Sequence, residues 1–186
     1  KLCDKIFHYQ IDFFHLCSLK FCFYLAFCAL FLGSCAKSLS PKAPIVKNFD
    51  IAKFSGGWYE IARMKGGGEL QNTAYECFID KNSTINLLKT AKTSSGKIEN
   101  EQHVLEFAGD KNVGLLYQKG LISDSLYRVA QVDGDYRYAL IFGADTSELY
   151  ILSRTKTLPE PIRILYLKKA KHSGYDTKKI VWTKQQ

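Results

Sequence analysis

Cys77 and His103 are the residues in the body of the chain whose types could do covalent chemistry, a thiol as nucleophile and an imidazole as its base. Nothing in their spacing brings them together. Each also has a plainer reading, Cys77 as a small buried hydrophobe and His103 as an ordinary surface or core side chain. His103 and His172 lie far apart, and no CxxC or HExxH pattern offers a metal ligand set. Gly66-Gly67-Gly68 does not make a phosphate loop; it reads as a flexible lip in a long loop. These residues predict a chain that is not an enzyme and carries no cofactor.

A second thiol has a different chemistry in reach. Phe21 to Leu32 is an unbroken apolar run behind Lys20, followed by Leu32-Gly33-Ser34-Cys35. A basic flank, a short apolar run and small residues at a cut site make a secretory signal, and the run is too short to span a bilayer. Leu-Gly-Ser-Cys resembles the bacterial lipobox, which implies diacylglyceryl transfer to the Cys35 thiol and cleavage before it. Of the six cysteines, Cys3, Cys17, Cys22 and Cys28 would then leave with the leader, and Cys77 would stand alone. Residues 1–19 are long and apolar for a leader, so the translation start is expected elsewhere. The predicted organisation is a leader over 1–34, a lipidated Cys35 with a Pro- and Ser-containing tether over 35–48, and one domain over 49–186.

The elements of that domain follow from periodicity. Short runs rich in β-branched and aromatic residues, broken by turn residues, predict strands near 57–64, 73–81, 84–92, 98–107, 112–118, 125–133, 136–143 and 147–154. The breaks, such as Lys81-Asn82-Ser83, Ser94-Ser95-Gly96 and Asp133-Gly134-Asp135, suit tight hairpins. Thr157 and Glu160 have capping-box spacing. The helix they would start offers Ile162, Leu165, Tyr166 and the stem of Lys169 as its inner face, and Gly174 would stop it. Lys179 to Thr183 makes a short last strand. The expected fold is all-β: an eight-stranded antiparallel up-and-down barrel, closed so that no strand edge is free, with a C-terminal α-helix and a short ninth strand.

Three motifs then resemble the lipocalin family. Gly56-Gly57-Trp58-Tyr59-Glu60-Ile61-Ala62-Arg63 resembles its Gly-x-Trp motif, Asp133-Gly134-Asp135-Tyr136 its second motif, and Leu149 to Thr155, with Arg154, its third. Their wording is similar to that of the bacterial outer-membrane lipoprotein lipocalins. Asp133-Gly134 and Lys156 depart from the family's usual residues without threatening the fold. The resemblance implies structural roles for Gly56, Trp58, Asp133, Tyr136 and Arg154, with the Arg154 guanidinium across the Trp58 indole at the closed end. Such a contact is worth about 0.5–2 kcal/mol.

Alternation from Trp58 and Arg154 sends Glu60 and Ala62 of strand one and Tyr150 and Leu152 of strand eight into the lumen. The family register adds Tyr127 and Val129 of strand six and Tyr138, Leu140 and Phe142 of strand seven. This lining is apolar and aromatic with a few hydroxyls. In a barrel without a cavity the same residues would only pack as core. The resemblance implies binding, storage or transport of a fatty acid or lysophospholipid, whose anionic head group would meet Lys65, Lys92 or Lys97 at the open end. It also implies a lipid anchor in the outer membrane, facing the periplasm. A ligand-free structural envelope protein and a lipocalin-fold enzyme remain the alternatives, and a homodimer stays open. The formal charge of +8 comes mostly from dispersed Lys, without an Arg cluster or nucleic-acid motif, so nucleic acid is not expected as a partner.

Overall fold

The computed structural model describes residues 43–64, 70–120 and 124–186. The expectations for the leader, Cys35, Lys65 and the Gly66-Gly67-Gly68 loop fall outside these residues. Nine strands form one sheet: β1 (Gly56–Met64), β2 (Leu70–Ile79), β3 (Ile85–Thr93), β4 (Ile98–Phe107), β5 (Leu115–Gln118), β6 (Ser125–Val132), β7 (Tyr138–Phe142), β8 (Leu149–Ser153) and β9 (Val181–Trp182). Strands β1 to β8 pair antiparallel in sequence order, and β1 closes the barrel by pairing with both β2 and β8. The hairpin turns use the residues read as breaks. Asp80 accepts from the Asn82 and Thr84 amides, and Gly96 adopts a φ of 85° that a side chain would strain.

Two elements flank the strands. A four-residue helix, α1 (Ile51–Phe54), starts on Asp50, whose carboxylate accepts from the Ala52 and Lys53 amides. Helix α2 (Glu160–His172) lies against the barrel through Tyr166 and Ala170, with Ile162 and Leu167 partly buried beside them. The predicted capping box does not form. Pro159 is the N-cap and offers no side-chain acceptor, while Glu160 pairs with Arg163 one turn on. Leu165 is exposed rather than inward, because the stripe that faces the barrel runs through 162, 166 and 170. Gly174 does end the helix: at a φ of 96° it completes a Schellman arrangement in which the Tyr175 amide donates to the Ala170 carbonyl.

Two apolar layers result. One fills the barrel, around Trp58, Cys77, Leu105, Leu116, Val129, Ile141 and Leu152. The other lies between the barrel wall and α2, around Ile61, Ala62, Leu140, Phe142, Ile151 and Tyr166. Ala43 is buried in this outer layer, and the Val46 amide donates to the Val129 carbonyl. Residues 43–48, read as part of a tether, are therefore seated on the barrel.

β1 pairs with β2 only from Gly56 to Tyr59; higher up, Ala62 and Arg63 face β9 instead. The C-terminal residues cover the seam left between β1 and β2. The Gln185 side-chain amide donates to both the Glu60 and Thr73 carbonyls, each at 2.8 Å, and the Asn72 amide donates to the Lys184 carbonyl.

Candidate ligand-binding site

The floor is built first. Phe49, Phe54, Trp58 and Tyr136 form a chain of aromatic contacts, with ring centroids 4.9–6.2 Å apart. The Arg154 guanidinium lies 3.7 Å from the Trp58 ring centre. It donates to the carbonyls of Lys53, Phe54, Ser55, Gly57 and Tyr136. Arg154 thus caps the end of α1, where carbonyls are left without partners, and staples that helix over the base. Gly56, at a φ of 96°, leaves room for it; a Cβ there would sit 3.3 Å from the guanidinium. Asp133 organises the β6–β7 turn by accepting from the Arg137 and Tyr138 amides. The Tyr136 hydroxyl accepts from the Asp50 amide, tying that turn to the start of α1.

Above this floor lies a cavity of about 310 Å³. Its lower wall is apolar, with Phe54, Leu105, Leu116, Val129 and Leu152, and Ile141 continues it up to the level of Tyr150. Its upper wall is a collar of hydroxyls and charges. Buried Glu60 accepts from Arg63, from the Tyr75 hydroxyl and from Thr183 of the C-terminal segment, each at 2.7 Å. The Tyr150 hydroxyl donates to buried Glu148 at 2.9 Å. Gly143 makes room for Glu148, since a Cβ on it would lie 2.6 Å from that side chain. Across the mouth, Lys89 pairs with Glu101 at 3.1 Å, and His103 meets Glu101 at 3.4 Å and Gln118 at 3.1 Å. Partial burial acts to raise the Glu101 carboxyl, but Lys89 and His103 outweigh it and hold it below the ordinary range. Burial and the neighbouring carboxylates, Glu60 for Tyr75 and Glu148 for Tyr150, push both phenols well up, so both stay protonated donors.

The sequence-derived lumen residues divide. Glu60, Tyr127, Val129, Tyr150 and Leu152 line the cavity. Ala62, Tyr138, Leu140 and Phe142 do not; they lie in or against the layer under α2. A bulge in β1 between Glu60 and Ala62 shifts the alternation by one residue, so Arg63 enters the lumen in place of Ala62. On β7 the phase is set by β8: Ile141 stands opposite Tyr150 and Ala139 opposite Leu152, so these two face in and their neighbours face out.

The lining is also more charged than expected. Arg63, Lys89, Glu101, His103 and Glu148 all reach it. Carrying the alternation of Trp58 through its partner Tyr75 to Lys89 on β3 and Glu101 on β4 would have found two of them. Lys92 is exposed on the opposite face from Lys89, and Lys97 pairs with half-buried Glu99 beside the β3–β4 hairpin.

Cys77 and His103 do not meet. Leu87 stands between them, opposite Cys77 on one side and His103 on the other, which separates them by two strand spacings, about 9–10 Å. Burial pushes the Cys77 thiol up to about 11, away from the thiolate a nucleophile needs. Among the described residues no group of His, Cys, Asp and Glu is placed to hold a metal ion.

A closed antiparallel barrel with an aromatic floor, a graded cavity and a flanking helix defines a small-molecule-binding β-barrel. The chain belongs to the lipocalin family: the family model for a lipocalin-like domain matches residues 49–185. It is similar to the outer membrane lipoprotein Blc of Citrobacter freundii, 29% identical over 84% of this chain and 92% of that protein. It is also similar to temperature-induced lipocalin-1 of Arabidopsis thaliana, 29% identical over 76% of this chain and 82% of that one. Among solved structures, the cockroach allergen Per a 4 superposes with a TM-score of 0.61 at 15% identity, over 77% of this chain and 92% of the allergen; this likeness speaks to the fold alone.

Proposed function

We propose that this protein is a lipid-anchored binder of single-chain amphiphiles, fatty acids or lysophospholipids, held through acylated Cys35 in the bacterial outer membrane and facing the periplasm. The observation that carries the reading is the gradient inside the barrel, apolar at the floor and ionisable at the collar. An acyl chain would descend onto Leu105, Leu116, Val129, Ile141 and Leu152, gaining about 0.8 kcal/mol for each methylene taken from water. Its head group would remain among Arg63, Lys89, Glu101 and Glu148. These carry both signs, so a zwitterionic head group would meet both by exchanging with the Arg63–Glu60 and Lys89–Glu101 pairs. The position of Leu32-Gly33-Ser34-Cys35 behind an apolar run supports the anchor, and the outer-membrane lipoproteins among the relatives support the location. Binding is favoured over catalysis because Cys77 and His103 are held apart and the thiol is kept protonated.

Mass spectrometry of the protein purified under native conditions tests the ligand class. A co-purified fatty acid or lysophospholipid is expected. A barrel that arrives empty and takes up no fluorescent fatty acid would overturn the proposal. The anchor has its own test: Cys35→Ala should leave the membrane fraction with its fold intact, and retention there would show that Cys35 is not the attachment point.

A further inference from the structure

We infer that the outward face of α2, together with β9, is a docking surface for an anionic lipid bilayer, on which the barrel rests beside its own mouth. This face carries apolar side chains that nothing covers among the described residues. Ile164 is 57% exposed, Val181 51% and Trp182 41%. The Arg163 guanidinium lies 5.4 Å from the Trp182 ring centre, which joins helix and strand into one face. Lys168 and Lys171 follow Ile164 at i+4 and i+7, and so share its stripe, opposite the Ile162, Tyr166 and Ala170 stripe that packs on the barrel. Lys178, Lys179 and Lys184 are exposed on the segments beside Trp182. Of the nearby acids, Glu160 is paired with Arg163, and Asp176, which keeps its charge while accepting from the Lys178 amide, is outnumbered by Lys178 and Lys179 next to it.

The composition of this face selects its occupant. Protein interfaces are depleted in Lys, whereas an indole and aliphatic side chains set among lysines suit the head-group region of an anionic membrane. Each Lys near such a surface favours docking about fivefold at physiological salt, and the attraction fades within a Debye length. The path of the chain points the same way. Ala43 is buried in the same layer as Tyr166, Ala170 and Ile180, so the chain reaches the barrel on the α2 side. Cys35 lies eight residues before Ala43 in the sequence, at most roughly 26–29 Å of extended chain. This step rests on the proposed acylation of Cys35, and it bounds how far the lipid can lie from Ala43.

The surface also sits where a binder of amphiphiles would use it. β9 pairs with Ala62 and Arg63 at the upper end of β1, and Arg63 lines the cavity. The Tyr175 hydroxyl donates to the Asp145 carbonyl in the loop between β7 and β8, so α2 ends at the rim. Docking there brings the mouth to the lipid surface.

The test uses the full acylated chain reconstituted in vesicles of phosphatidylcholine with about a third phosphatidylglycerol, their acyl chains brominated. The chain has two tryptophans, and Trp58 is buried at the base, so the difference between the protein and Trp182→Phe reports Trp182. The expected result is blue-shifted Trp182 emission, quenched by bromine in anionic vesicles and much less in phosphatidylcholine alone. Lys168→Gln with Lys171→Gln should lower the docked-to-undocked ratio about 25-fold, and Ile164→Glu should lower it further. Unchanged melting temperature and fatty-acid displacement confirm that these exposed substitutions leave the barrel intact. Water-like, unquenched Trp182 emission in a chain whose acylation at Cys35 is confirmed by mass spectrometry overturns the docking surface alone. A chain found unacylated overturns the anchor reading, and with it this inference. A concentration-dependent dimer that buries Trp182 and is lost in Ile164→Glu assigns the face to a second copy and also overturns it.

Discussion

Neighbouring positions on β7 offer a sharp test of which wall a ligand touches. Ile141 lines the cavity opposite Tyr150, between the floor and the collar, while Leu140, one residue away, is buried under α2 opposite Ile151. Placing tryptophan at either site adds the same ring to opposite sides of one strand. At 141 the indole takes space from a cavity of about 310 Å³. If it displaces three methylenes of a long chain, the loss is about 2.4 kcal/mol, roughly 50-fold in Kd, while a chain too short to reach that depth loses little. At 140 the ring overpacks the layer against the helix, costing about 1–3 kcal/mol of stability with no dependence on chain length. The assay is a set of dissociation constants for saturated fatty acids of increasing length, with thermal melts of both variants. Ile141→Trp should bend the affinity-against-length curve down at the long end, and Leu140→Trp should shift only the melt. The opposite pattern would refute the inward assignment of Ile141. Equal affinity losses at every length for Ile141→Trp would refute the placement of the acyl chain at the floor.

Four further outcomes follow from the geometry. Trp58→Ala should cost about 3–5 kcal/mol in chemical denaturation, and Arg154→Ala less, by freeing the end of α1 and the indole contact; two unchanged melts would contradict the floor described above. Glu60→Gln removes the carboxylate that Arg63, Tyr75 and Thr183 all meet, and should destabilise by about 3–5 kcal/mol, with loosening of residues 183–186 visible in hydrogen exchange. Tyr166→Phe should stabilise by about 1 kcal/mol in urea, because the buried hydroxyl has no hydrogen-bond partner among the described residues; a loss of stability would show that it has one. The Cys77 thiol, pushed up to about 11, holds its proton more tightly in the folded than in the unfolded chain. Its contribution is therefore complete below the unfolded value near 9.0 and is lost as pH rises towards 11, so Cys77→Val should show an alkaline loss smaller by about 2–3 kcal/mol.

The sequence by itself determined the strand number and order, the closing helix and the family, because these rest on local signals: period-two runs, turn residues and three motifs that fix the base. It also marked Trp58 and Arg154, although not that Arg154 caps α1. That helix is four residues long and announced only by Asp50. Only the tertiary structure decided which side of some strands faces the lumen. Tyr138 to Phe142 is apolar throughout, since its inner face lines the cavity and its outer face is roofed by α2, so composition carries no phase there. On β1 a single bulge reversed the phase after Glu60, exchanging Ala62 for Arg63. The charged collar was hidden for a related reason. No motif or run singles out Lys89, Glu101 and Glu148, and they become one site only when barrel closure brings β1, β3, β4 and the β7–β8 loop around a common axis. The seating of Ala43 and of Lys184 to Gln186 was equally out of reach, because a segment that docks through hydrogen bonds to distant strands carries no periodicity of its own.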